Sequence, residues 1–248
     1  VHGSIAIGNY AIKELGKKTG AFMVDTADEY SVFNKENLAK YDAILFNNTT
    51  HLVFQNDTQR DAMLDFLKQG KGVAGIHAAS DNFYKWKTAA RMVGGQFDGH
   101  PWGAGGTWSF KLDDPKHTLN RAFMGKGFWL KDEIYQYKPG TFVGKDEIRI
   151  LISLDLTKNQ TMGPLKRNEG LRKQYTEGGR YVPVSWLRKF QGGRVFYTNF
   201  GHNESTFWNP GVIKHYLDGL QYALGDLTAD ATPTSKIKRT AVLAPAKP

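Results

Sequence analysis

The chain reads as an α/β protein, with a parallel sheet flanked by helices and added antiparallel strands in the C-terminal half. Up to residue 95, short apolar runs alternate with amphipathic helical stretches, the pattern of a parallel sheet. After residue 100 strands follow one another, and the last two are joined by Gln191-Gly192-Gly193, a hairpin turn signal. A length of 248 residues with 40% hydrophobic content fits one such domain.

The elements follow in order. Residues 3–19 carry Ile5, Ile12 and Leu15 at helical spacing, with Ser4 as cap and Gly20 as stop. Phe22 to Val24 is a short strand, Asn34 to Lys40 a short helix, and Tyr41 to Phe46 a second strand. A helix over residues 57–69 turns Met63, Phe66 and Leu67 inward and stops at Gly70. Next comes Gly72-Val73-Ala74-Gly75-Ile76-His77, an apolar run bounded by glycine that reads as a buried parallel strand. A helix over residues 84–93 closes on Gly94-Gly95. Strands are then expected over residues 107–112, 129–137, 148–154, 182–190 and 194–200. Asn209 caps a last helix with Pro210 in its first position, and its inward stripe is Ile213, Tyr216, Leu217, Leu220 and Leu224. Residues 1–225 form the domain, and 226–248, rich in Ala, Thr, Pro and Lys, read as a tail with little order of its own. Because a helix opens the chain, the native polypeptide is expected to extend upstream of Val1 by a strand of about 5–6 residues. An export signal is expected ahead of that strand, with delivery to the periplasm or outside the cell, and a cytoplasmic location as the alternative.

Composition narrows the function classes. There is no cysteine, which excludes disulfides, thiol catalysis and Cys-based metal sites. No run is long and apolar enough to span a bilayer. The formal net charge of +9 raises nucleic acid as a partner. Its distribution argues otherwise: Lys158, Lys166, Arg167, Arg172, Lys173 and Arg180 face only Glu169 and Glu177 in residues 157–180, which read as one solvated, poorly ordered loop. No helix-turn-helix, zinc-finger or RNP pattern accompanies them, so no nucleic-acid partner is expected. Aromatics make up 13% of the chain, enough to line a pocket as well as a core.

Four segments place titratable groups near expected strand ends, where open α/β sheets bind ligands. They are His77 with Asp81, Asp98-Gly99-His100-Pro101-Trp102, Lys131-Asp132-Glu133-Ile134-Tyr135-Gln136, and Tyr197-Thr198-Asn199-Phe200-Gly201-His202. His2 is a fifth contributor. In a strand, Asp132 and Glu133 face opposite sides, and Glu133, which shares a face with Tyr135, is the one expected in the site. The candidate catalytic residues are His77, His100, Glu133 and His202; the candidate substrate contacts are Asp81, Trp102, Tyr135, Tyr197 and His2. Such a set allows proton transfer near neutral pH. It also allows a divalent metal held by His77, His100, His202 and Glu133, although no HExxH or other close ligand spacing accompanies it.

Several runs together resemble the ThuA-like, or trehalose-utilisation, family: Glu36 to Ala43, Gly75-Ile76-His77-Ala78-Ala79, Gly94 to Pro101, Asp132-Glu133-Ile134-Tyr135, Gly193 to Thr198, and Gly201-His202. The resemblance runs from near residue 2 to about residue 225 and lies in the order of the motifs rather than in any one of them. It implies a flavodoxin-like fold related to class I glutamine amidotransferases, with His77 near the place of the amidotransferase cysteine and His2 ending the family's first strand segment. The chain departs from the family where many members have His-Pro before a Trp; here the run is Pro183-Val184-Ser185-Trp186. The implied function is carbohydrate processing in disaccharide catabolism, by acid/base or metal-assisted cleavage of a glycoside or 3-keto-glycoside. A non-catalytic carbohydrate-binding or accessory domain is the alternative. The expected partner is a small carbohydrate.

Overall fold

Among the described residues, strand β1 (Ala43–Asn47) lies at one edge of a seven-stranded sheet, next to β2 (Gly72–Ile76), which pairs in turn with β7 (Gly193–Thr198). These three strands run parallel, so their carboxyl ends share one edge. The sheet continues antiparallel through β6 (Pro183–Phe190), β5 (Arg149–Leu154), β3 (Thr107–Leu112) and β4 (Phe128–Lys131). The computed structural model describes residues 2–177 and 181–247. The expected α/β class is present, as one mixed sheet.

Alternation along the central strands divides the core. Val73, Val195 and Tyr197 face one side, with Met63 and Leu67 of α3 (Asp57–Lys68) and Val93 of α4 (Lys87–Val93). Ala74, Ile76 and Phe196 face the other, with Ile12 of α1 (Ile5–Thr19) and Tyr216 and Leu220 of the C-terminal helix, Pro210–Leu224. That last helix packs close: a Cβ on Gly219 would stand 2.2 Å from the Phe196 ring. Asn209 caps it by accepting from the amides of Gly211 and Val212.

Four expectations change, and a fifth falls outside the described residues. The Phe22 to Val24 segment forms no ladder, although Phe22, Val24, Ala43 and Leu45 line a cleft of about 440 Å³ beside β1. The strand expected ahead of Val1 lies outside the described residues; among these, no strand pairs with the outer side of β1. The strand expected over residues 129–137 ends at Lys131. Beyond it the chain leaves the sheet and pairs with residues 96–102, through Ile134 N to Trp102 O (2.8 Å) and Gln136 N to Gly99 O (2.9 Å).

Residues 157–177 are not the loop expected for 157–180. They hold α5 (Asn159–Lys166) and α6 (Glu169–Glu177), and Gly178 to Arg180 lie outside the described residues. The widely spaced Met162, Leu165, Leu171 and Tyr175 pack on the core, a sparse helical stripe that the surrounding charge obscures.

The segment after residue 225 is laid along the antiparallel half of the sheet. Val242 bridges Leu112, the Ala244 amide donates to Asp155 (3.0 Å), and Trp129 donates to the Pro245 carbonyl (3.0 Å). Buried Arg149 binds Asp114 (2.6 Å), Asp230 (3.1 Å) and the Thr232 carbonyl (2.9 Å). A tail with little intrinsic preference is ordered here by a charge that cannot be left alone in the core. This segment follows α7, the helix Pro210–Leu224.

Two predictions follow from this packing. Arg149→Ala leaves Asp114 buried without its main counter-ion, and a urea melt should show a loss of about 3–5 kcal/mol. The second concerns His215, which is fully buried with Nδ1 donating to the Leu119 carbonyl (2.6 Å) and Nε2 2.8 Å from the Ser185 hydroxyl. Burial pushes its pKa down to about 4. The unfolded chain therefore takes up this proton first, near pH ~6.5. The stability from keeping His215 neutral is complete above that value and is lost as the pH falls, by about 3 kcal/mol on reaching pH ~4. Urea midpoints measured at neutral pH and near pH ~4.5 should differ less in His215→Gln than in the parent chain.

Candidate functional site

The carboxyl ends of β2 and β7 lie side by side, and each delivers a histidine. His77 follows β2 directly and takes a left-handed backbone, φ 46°, costly for a side chain with a Cβ. Two bonds hold it there. The Tyr197 hydroxyl donates to the His77 carbonyl (2.7 Å), and His77 Nδ1 donates to the Asn199 carbonyl (2.7 Å). A carbonyl only accepts, so Nδ1 carries a proton and Nε2 is turned toward the cluster. His77 is fully buried.

His202 follows β7 after Gly201, whose φ of 126° few other residues tolerate. The Asp132 carboxylate fixes this loop by accepting from the amides of Gly201 (2.7 Å) and Asn203 (2.9 Å). Burial pushes the Asp132 carboxyl up against these stabilising bonds. Asp132, set aside in the sequence reading because it faces away from Glu133, thus does face away, and it positions the neighbouring loop. Ser4, expected to cap α1, makes no capping bond; its hydroxyl donates instead to the Gly201 carbonyl (2.9 Å) and draws the chain around His2 into the site.

Glu133 is the hub. Its Oε2 lies 3.0 Å from His202 Nδ1 and 3.5 Å from His77 Nε2, and its Oε1 lies 3.4 Å from His100 Nδ1. His77 Nε2 and His202 Nδ1 are 3.3 Å apart. Burial by itself would raise the Glu133 carboxyl, but the hydrogen bonds from His202 and His77 overcome it and hold the group well below the usual carboxylate range. The bond to Glu133 in turn raises His202. His2 stacks edge-on at ring-centroid distances of 4.9 Å from His77 and 5.1 Å from His202. Burial, then the neighbouring His77 and His202, push its pKa down to about 4. His2, His77, Glu133 and His202 each offer one ligand atom, and the four atoms lie within 4.8 Å of one another.

The remaining candidates separate. His100 stands at the rim, 57% exposed at its side chain. Tyr135 belongs to the site: its hydroxyl is 3.1 Å from His2 Nε2, and its ring packs on His77. Asp81 is engaged by the Tyr84 hydroxyl and by His51 (3.8 Å), outside the cluster of four. Trp102 is fully buried with its indole N–H on the Thr161 carbonyl (2.8 Å). Tyr197 is buried behind His77. Neither Trp102 nor Tyr197, both expected to contact substrate, has an exposed face in this structure.

Asn199 lies in the last sequence segment, where no role was assigned to it. Its backbone carbonyl orients His77, its Oδ1 accepts from the Tyr135 amide (3.0 Å), and its Nδ2 donates to the Tyr197 hydroxyl (3.0 Å). Its place two residues after the Tyr197 that supports His77 is the only sequence signal for it.

The site can therefore hold an ionised carboxylate among imidazoles, deep at one side and open at the His100 side. Comparison with known proteins agrees with this architecture. Two ThuA-like proteins of known structure share the fold. The one from Bacteroides uniformis has a TM-score of 0.63 at 21% identity over 87% of this chain and 82% of that one. The one from Parabacteroides merdae has a TM-score of 0.62 at 16% identity over 98% and 92%. A cytoplasmic protein of Salmonella typhimurium, STM3548, is more distant, with a TM-score of 0.51 at 13% identity over 86% and 85%. No curated protein matches the sequence. The family model described as "ThuA: Trehalose utilisation" matches residues 1–223, and the chain belongs to that family.

Proposed function

We propose that the protein processes a carbohydrate at the His77–Glu133–His202 cluster, cleaving a glycoside or, in the reading we favour, a 3-keto-glycoside. The observation that carries this is a single ionised carboxylate, Glu133, buried among histidines of which His100 is exposed at the rim. Ordinary glycosidases place two carboxyl groups across the scissile bond. Here the neighbouring carboxylate, Asp132, is spent on two backbone amides, and Asp81 is tied to Tyr84. A 3-keto sugar removes the need for a second carboxylate. Its carbonyl acidifies the adjacent C–H, so a base takes that proton, the C–O bond to the aglycone breaks, and the departing oxygen is protonated. The step is an elimination and consumes no oxidant. His100, at the open rim, is the proton-transfer group in this reading; His77, Glu133 and His202 act on the sugar oxygen, and Tyr135 lines the wall. Membership of a family described by trehalose utilisation supports a disaccharide as the substrate.

The expected outcome is turnover of 3-keto-disaccharides, followed by chromatography of the released sugar. His100→Ala should lower kcat by about 10²-fold or more, with part of the rate restored by added imidazole. Saturable sugar binding without turnover of either keto- or unmodified disaccharides would instead establish the binding-domain alternative.

Asp132 gives a second test. Asp132→Asn replaces one amide acceptor with a donor facing a donor. It should cost about 1–3 kcal/mol in a urea melt. Because it loosens the His202 loop without touching sugar, it should lower kcat more than it raises KM.

A further inference from the structure

We infer that His2, His77, Glu133 and His202 form a binding site for one divalent transition-metal ion of the zinc class. The inference rests on the same site as the proposed reaction but stands on its own geometry. Zinc binds imidazole nitrogen and carboxylate oxygen at about 2.0–2.2 Å, so the edges of a zinc tetrahedron measure about 3.3–3.5 Å. His77 Nε2, His202 Nδ1 and Glu133 Oε2 already make a triangle with sides of 3.3, 3.0 and 3.5 Å. The fourth residue, His2, has its ligand atom within 4.8 Å of the other three, a distance that a small ring movement closes.

Three further observations point to a cation. His77 has its outer nitrogen fixed on the Asn199 carbonyl, which turns Nε2 into the cluster. A metal-binding histidine is typically oriented in this way by the groups behind it. His2 Nδ1 is buried and has no hydrogen-bond partner in the protein, while its Nε2 contacts Tyr135. Three imidazoles with ring centroids 4.9–5.2 Å apart repel one another when charged, whereas as neutral donors around a dication they are all satisfied. Three imidazoles and one carboxylate suit zinc or its borderline neighbours, and not magnesium or calcium, which take oxygen donors. His100 lies outside this set, at the exposed rim, so an incoming sugar would meet the ion from that side. The ion would act as a Lewis acid on a sugar oxygen.

The test is to strip the full chain with chelator, dialyse it, and titrate Zn²⁺, Co²⁺ and Mg²⁺ separately by calorimetry, with the visible spectrum recorded for Co²⁺. The expected result is one equivalent of Zn²⁺ or Co²⁺ per chain, an intense Co²⁺ spectrum, a raised melting temperature, and no Mg²⁺ binding. Glu133→Gln, close in shape, and His202→Ala, partly exposed, should each weaken Zn²⁺ binding by at least ~10-fold, the scale of a lost ligand or its support. His51→Ala should leave it unchanged. Absence of stoichiometric Zn²⁺ or Co²⁺ binding, or full affinity in both site variants with a native far-UV spectrum, overturns the inference. Stoichiometric binding by a chain that turns over no sugar leaves the metal site standing and removes the proposed reaction. Full turnover of keto-sugar by chelator-stripped protein that binds no ion does the reverse.

Discussion

The site depends on the short hydrogen bond from His77 Nδ1 to the Asn199 carbonyl. It ties the carboxyl end of β2 to that of β7, two strands that pair in parallel but lie some 120 residues apart in sequence. It also sets the His77 tautomer and aims Nε2 at Glu133 and His202. The left-handed backbone of His77 costs about 1–2 kcal/mol, which a core this well paired can absorb. Tyr197 braces the same residue from behind, and Asn199 links Tyr197 to Tyr135, so one buried network locks both the strand ends and the wall of the site.

A second device brings Glu133 and His202 in. Where β4 ends, the chain peels off the sheet and forms a short ribbon with residues 96–102, which sets Glu133 beside His100. Asp132 faces the other way and grips the loop that carries His202. Adjacent residues with opposite orientations thus serve one cluster, Glu133 among the histidines and Asp132 as the strut of the neighbouring loop. Its burial is tolerable because both oxygens are met by backbone donors.

The antiparallel half and the C-terminal segment support this arrangement from a distance. Arg149, buried in β5, gathers Asp114 from one loop and Asp230 from the segment after α7. A charge in that position obliges a low-complexity tail to dock, and the docked tail in turn meets the end of β3 at Leu112 and the edge strand β4 at Trp129.

Much of this was legible in the sequence. Hydrophobic period, glycine stops and the Asn209-Pro210 start placed most helices and strands within a few residues, because those signals are local. The histidines and Glu133 stood out because each sits at the end of an apolar run. Other features had no local signal. The helices in 157–180 rest on a sparse stripe that earns its stability only against the core. The roles of Asp132, Asn199 and Ser4 depend on which backbone groups they meet, and the burial of Trp102 and Tyr197 on what packs over them. Short-range chemistry along the chain determined the α/β class and the residue types available for a site. Which of those residues meet within hydrogen-bonding distance was decided only by tertiary structure, because strand pairing, not sequence spacing, brings His2, His77, Glu133 and His202 together.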